Sequence, residues 1–223
     1  MTVKIGGRAP NLKISEWVQG IPTNIENEKG NVIVVEVFQV NCPGCFIYGI
    51  PEAIDIYTKF AGKDVKVLGL ATAFEDFDKN TLENLKLLLT DGQVIGETQA
   101  SLQQYGRLKE GDRLSYRIPF PVAMDLLIKQ KNDALTESKI LDFVESNVPD
   151  FRTYNESERK LLLLKVRQYL QAKHYSARTF EEYGLRGTPS SVVIDRKGLL
   201  RQVSFGADGS LHSTIENLLS ESE

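Results

Sequence analysis

The chain has 223 residues, a formal net charge of −3, 41% hydrophobic and 26% charged residues. That length suits one domain of the α/β class carrying an insertion, with a core able to bury most of its apolar surface. The slightly acidic balance excludes the basic face that nucleic-acid binding needs. The longest apolar run, Val32–Phe38, is interrupted by Glu36 and falls far short of the roughly 20 residues that span a bilayer, so no membrane segment is expected.

In chain order, residues 6–20 read as a loop or short hairpin, and Lys29-Gly30-Asn31 as a turn. The first twenty residues hold Lys4 and Arg8 but no apolar stretch, so no secretory leader is expected and the protein is assigned to the cytoplasm. A β-branched run over 31–40 reads as a strand buried on both faces. After Asn41-Cys42-Pro43-Gly44-Cys45, apolar residues recur at helical spacing from Phe46 to Ala61 and stop at Gly62. Residues 65–72 form a second buried strand, which makes a βαβ unit with parallel strands. Residues 81–89 read as a helix, 91–114 give no clear signal, and 121–125 resemble a short strand.

An inserted helical segment is expected over about 129–175. Thr136 caps a helix running to about Ser146, and Val148-Pro149-Asp150 breaks it. Asn155 and Glu158 have capping-box spacing before a strongly helical stretch from Leu161 to Leu170. The leucine run 161–164 reads as core and the neighbouring charges as a solvated face that could also meet a partner. A further helix ends at Tyr183-Gly184. Gly187-Thr188-Pro189-Ser190 precedes a hairpin, strands 191–195 and 199–205 about the turn 196–198, and residues 210–219 close the chain as a helix.

The chain has two cysteines, three positions apart, and a disulfide scaffold would need more, spread along the sequence. A C-x-x-C pair that follows a buried strand and opens a helix sets its first thiol at unpaired backbone N–H groups and the positive dipole end. That environment lowers the pKa of Cys42 and favours its thiolate. Cys42 is then the nucleophile that forms a mixed disulfide, and Cys45 resolves it. Pro43 suits the first helical turn, where its missing N–H costs nothing. Three other uses of the pair remain: half a zinc site, a structural disulfide, or two small buried residues. A closed zinc site needs four ligands, and the two histidines, His174 and His212, have no motif spacing to the cysteines.

These blocks together resemble the thioredoxin superfamily, and within it the redoxin and TlpA-like thiol–disulfide oxidoreductases. The matching residues are Gly7-Arg8-Ala9-Pro10-Asn11-Leu12, residues 30–38, Cys42-Pro43-Gly44-Cys45, Phe120-Pro121-Val122 with Asp125, and residues 183–198. The resemblance implies a thioredoxin-like fold, a central mixed sheet flanked by helices, here with the helical insertion. It implies that Pro189 is a cis-proline beside the cysteines and that Thr188 offers its backbone to an extended substrate segment. Asn41, Pro43 and Gly44 would complete the substrate face. Glu36 matches the buried acid behind the second cysteine; its pKa would rise on burial and suit a proton acceptor for Cys45. An outward-facing Glu36 on a half-exposed strand is the plainer alternative. The sequence departs from the pattern at Asn41, where many relatives have Trp; the single Trp17 reads as a packing residue.

The implied partners are a protein or small-molecule disulfide and a thiol electron donor, with no bound cofactor or metal. Two other functions share these features. Peroxiredoxins have the fold but place Thr and Pro three and seven residues before their reactive cysteine, where this chain has Gln39 and Val35. A metal-handling or redox-sensing module would pair the cysteines with a late His, for which His212 is the candidate.

Overall fold

The structure is a computed structural model that describes residues 2–130, 135–207 and 209–221; positions 131–134 of the expected insertion therefore lie outside the described residues. The chain divides into two compact units, 1–127 with 177–223, and 128–176. In chain order the first unit begins with β1 (Ile14–Gln19), β2 (Val32–Phe38), α1 (Ile50–Lys59) and β3 (Val65–Ala71). It continues through α2 (Leu82–Asp91), α3 (Gly96–Gln104), the short β4 (Leu108–Lys109) and β5 (Arg113–Leu114), and β6 (Val122–Asp125). Strand β7 (Leu127–Lys129), helices α4 (Glu137–Asn147) and α5 (Glu156–Ala172), and strand β8 (Tyr175–Ala177) follow. The chain then completes the first unit with α6 (Arg178–Glu182), β9 (Ser190–Ile194), β10 (Leu200–Phe205) and α7 (Leu211–Ser220).

Six strands form one mixed sheet in the order β1-β6-β3-β2-β9-β10. Strand β2 runs parallel to β3, as its βαβ pattern requires, and antiparallel to β9. All seven residues of β2 are buried, because both sheet faces are covered. Val32, Val34 and Phe38 pack on one face with Phe46, Ile50 and Ile56, and with Leu211, Ile215 and Leu218 of α7. Ile33, Val35 and Val37 pack on the other with Leu12, Ile25, Phe180 and Tyr183. The period-2 alternation of a strand puts Glu36 on the first face, between Val34 and Phe38.

One expectation changes, and a stretch without a clear signal acquires structure. Residues 14–19, read as loop or hairpin, form an edge strand antiparallel to β6. Register shifts after Ile14 and after Trp17 break the alternation that would have marked it as a strand. Trp17 packs, half-buried, in the second cluster. The silent stretch 91–114 contains α3 and the β4–β5 hairpin, reached through Gly92 in the left-handed region that caps α2.

In the second unit Thr136 caps α4 through the backbone N–H of Lys139, and Asn155 and Glu158 close a capping box on α5. Ile140, Val144 and Phe151 are buried. The leucines of α5 are not core: Leu161 and Leu164 are 54% and 52% exposed, and no described residue of α5 is buried. A single helix contacts α4 along part of its length and leaves the rest of its apolar residues in solvent. Among the described residues, no helix is long and apolar enough to cross a membrane.

One buried acid ties the insertion's exit back to the sheet. Asp125, at the end of β6, accepts hydrogen bonds from the Thr72 hydroxyl (2.9 Å) and from the backbone N–H groups of Thr179 (2.9 Å) and Phe180 (3.2 Å). Burial raises its pKa while these donors lower it. Asp125→Ala strands three donors and is expected to cost about 2 kcal/mol or more in urea denaturation, with Asp125→Asn retaining part of the loss.

Candidate active site

Past β2 the chain turns through Gln39 and Val40 and enters a helix at Pro43. The N–H of Cys45 donates to the carbonyl of Cys42 (3.0 Å) and points at Cys42 Sγ (3.2 Å), so the first sulfur sits at the helix start. Cys42 and Cys45 form a disulfide. Cys42 is 9% exposed and Cys45 fully buried, an asymmetry that makes Cys42 the sulfur a partner can reach. Cys42 Sγ lies 3.6 Å from the carbonyl oxygen of Thr188. The Thr188–Pro189 peptide bond is cis, and Pro189 Cδ comes within 3.6 Å of where a side chain on Gly44 would begin. Pro43, Gly44 and Thr188 are half-buried around the disulfide.

Glu36 lies on the face of β2 that α1 covers and is 1% exposed. Its Oε2 accepts from the Ser191 hydroxyl at 2.7 Å, across the β2–β9 pairing that sets Glu36 opposite Ser191. Among the described residues, its Oε1 has no hydrogen-bond partner. Burial pushes its pKa up to about 8, opposed by the Ser191 hydrogen bond and assisted by the charge of Glu52. Directly above Oε1 stands Gly49. A methyl there would collide with Glu36 Oε1 and come to 2.6 Å of Pro189 Cβ, although the backbone of Gly49 is ordinary helix (φ −60°, ψ −57°). Only the absence of a side chain lets the helix approach the acid and Pro189 this closely.

The helix start itself is irregular. Residues Cys45–Gly49 form a π-turn in which the N–H of Ile50 bonds to the carbonyl of Cys45 rather than to that of Phe46. Pro51 has no N–H to return to Ile47. The two freed carbonyls are taken by side chains from the segment after α3: Tyr116 Oη donates to Phe46 O (2.8 Å) and Arg107 Nη1 to Ile47 O (3.2 Å).

No protein-family model and no curated protein matches the sequence. Solved structures do. A protein described as belonging to the thioredoxin-like superfamily is 28% identical over 96% of this chain and 97% of its own, with a TM-score of 0.57. A thiol-disulfide isomerase from Corynebacterium glutamicum is 29% identical over 97% and 98%, with a TM-score of 0.58. The thioredoxin domain of a thiol-disulfide oxidoreductase from Bacteroides vulgatus, 13% identical over 98% and 100% with a TM-score of 0.50, is a likeness of fold alone. The chain is a thioredoxin-superfamily protein.

Within this thioredoxin-superfamily chain Asn41 is turned inward. Its N–H donates to Asn80 Oδ1 (2.8 Å), its Nδ2 to Asp76 Oδ2 (2.7 Å), and its Oδ1 accepts from the N–H of Glu97 (2.8 Å). That last bond supplies an N-terminal cap to α3, whose own capping residue, Ile95, has no side-chain acceptor. Gln39 is likewise occupied, its Oε1 accepting from the N–H of Phe74 (3.1 Å). His212 meets Asp55 of α1, Nε2 to Oδ2 2.8 Å. Among the described residues, no group of three or more His, Cys, Asp or Glu is arranged to hold a metal.

Gly49, Ser191 and Tyr116 were not singled out by sequence. A glycine inside a helical pattern costs about 1 kcal/mol against alanine and is itself the signal of a close approach. Gly49→Ala is expected to destabilise the fold by about 1–3 kcal/mol in thermal or urea unfolding, from overpacking against Glu36 and Pro189. Glu36 adds a pH dependence. Its folded pKa of about 8 exceeds its unfolded one, so its contribution to stability is full below pH 4.5, declines as pH rises and levels off past about 8. The unfolding free energy from urea titrations across this range should fall, by up to about 1.4 kcal/mol per pH unit, and Glu36→Gln should flatten the profile.

Proposed function

We propose that the protein is a thiol–disulfide oxidoreductase acting on disulfides presented in extended peptide segments. The Cys42–Cys45 disulfide at a helix start, beside Thr188 and Pro189, carries this reading. In the reduced protein, the Cys42 thiolate attacks one sulfur of a substrate disulfide. The Cys42–substrate bond forms, the substrate S–S bond breaks, and one substrate thiolate leaves. Glu36, as carboxylate, takes the proton of the Cys45 thiol, and Cys45 attacks Cys42 Sγ. The Cys42–Cys45 bond forms, the mixed disulfide breaks, the second substrate sulfur departs as a thiolate, and Glu36 gives up its proton. Two electrons have passed to the substrate, and a thiol donor restores the pair. A carboxyl poised near pH 8 exchanges this proton readily at neutral pH. The backbone of Thr188 would align the substrate as an added strand.

Equilibration in glutathione and dithiothreitol buffers, followed by alkylation and mass measurement, tests the reading. A two-electron transition joining Cys42 to Cys45 is expected. A midpoint near about −270 mV marks a reductase suited to the cytoplasm, and one near about −120 mV an oxidant. No intramolecular disulfide at any poise overturns the proposal. In single turnover, Glu36→Gln should leave the first attack unchanged and slow resolution by about 100-fold at neutral pH; equal rates of both steps would remove Glu36 from the mechanism.

A further inference from the structure

The π-turn at Cys45–Gly49 places Cys45 and Gly49 at the two ends of one widened turn, with Gly49 pressed on Glu36 and Pro189. Such turns are rare, and one persists only where its surroundings stabilise it. The ordinary helix is a small change away: the N–H of Ile50 would transfer from Cys45 O to Phe46 O. Removing the extra residue would rotate Cys45 relative to Gly49 by about 100° and shift it by about 1.5 Å along the axis. Phe46 O already accepts from Tyr116 Oη at 2.8 Å, so the Ile50 N–H would have to share that oxygen with a bond that the π-turn leaves undisturbed. Burial pushes the Tyr116 phenol upward, so it stays protonated and a donor. Arg107 holds the next carbonyl, Ile47 O, which Pro51 leaves without an intrahelical donor.

We propose that Tyr116 and Arg107 are positioning residues for the redox centre: by occupying the carbonyls of Phe46 and Ile47 they hold the π-turn, which fixes where Cys45 and Gly49 stand against Glu36. The proposal deepens the oxidoreductase reading and rests on it for its importance to catalysis. Both side chains act on the helix through its main-chain carbonyls. Both come from the segment 105–118, outside the strands and helix that carry the cysteines.

The test reads Glu36 directly, in the oxidised full-length chain without substrate, by carbon-13 NMR titration of its carboxyl. The groups that face this carboxyl are the Ser191 hydroxyl on β9, the Glu52 charge on α1 and the backbone of Gly49. None of these is changed in Tyr116→Phe or Arg107→Leu. With the latch removed, the turn relaxes, water reaches Oε1, and the midpoint is expected to drop from about 8 by about one unit. Tyr116→Phe should give the larger shift, since Arg107 is exposed. A midpoint unchanged in both variants overturns the proposal, even if both melt at lower temperature, because a purely structural role would lower stability alone. If Tyr116→Phe does not fold, Arg107→Leu decides by the same criterion. The titration needs no turnover, so its failure is separate from any failure of the redox equilibrium.

Discussion

The helix that carries both cysteines meets the sheet at Gly49, and that contact governs the rest of the centre. A side chain of any size there would push the helix off Glu36 and Pro189 and carry Gly44 away from Pro189 as well. The neighbours of Gly49 come from distant parts of the sequence: Glu36 from β2, Pro189 from the turn before β9. The antiparallel β2–β9 pairing brings these two together, and the helix seals them from water. Sheet register, glycine and buried acid therefore form one constraint.

The acid is retained against a cost. A carboxyl among Val34, Phe38 and Phe46 is disfavoured when charged, and the single Ser191 hydroxyl offsets only part of that. Asp125 resolves a similar problem differently: three donors surround it, and it serves to join β6 to α6. Two buried acids in one sheet thus have opposite balances. The well-satisfied one is structural, and the one with a free oxygen lies under the redox helix.

Much of this architecture was legible in the sequence. The run over β2 announced a doubly covered strand because nothing in it alternates, and Thr136, Asn155 and Glu158 announced their helices because capping is a local interaction. The cysteine pair, Glu36 and Thr188-Pro189 could be recognised as motifs. The edge strand β1 was hidden by its bulges. The leucines of α5 misled because helical periodicity reports an apolar face but not whether anything covers it. Asn41 looked like a substitution on the substrate face; its three hydrogen bonds depend on residues 35 to 56 positions away, which no local pattern reveals. Tyr116 was invisible for the same reason, lying just past a stretch, 91–114, with four glycines and no period.

The route by which the chain leaves and rejoins the first unit has a consequence of its own. Strands β7 and β8 form a two-stranded ladder, continued by the bond from the N–H of Gln130 to the carbonyl of His174 at 2.8 Å. The two ends of a connection of nearly fifty residues are thereby held side by side, as in a hairpin. Closure entropy grows only slowly with loop length, so what lies beyond the ladder changes little in the closing of the β6–β9 connection. The helical unit is in this sense a cassette. Its length can change at little cost in closure entropy, while the strands that carry Glu36, Thr188 and Pro189 keep their register.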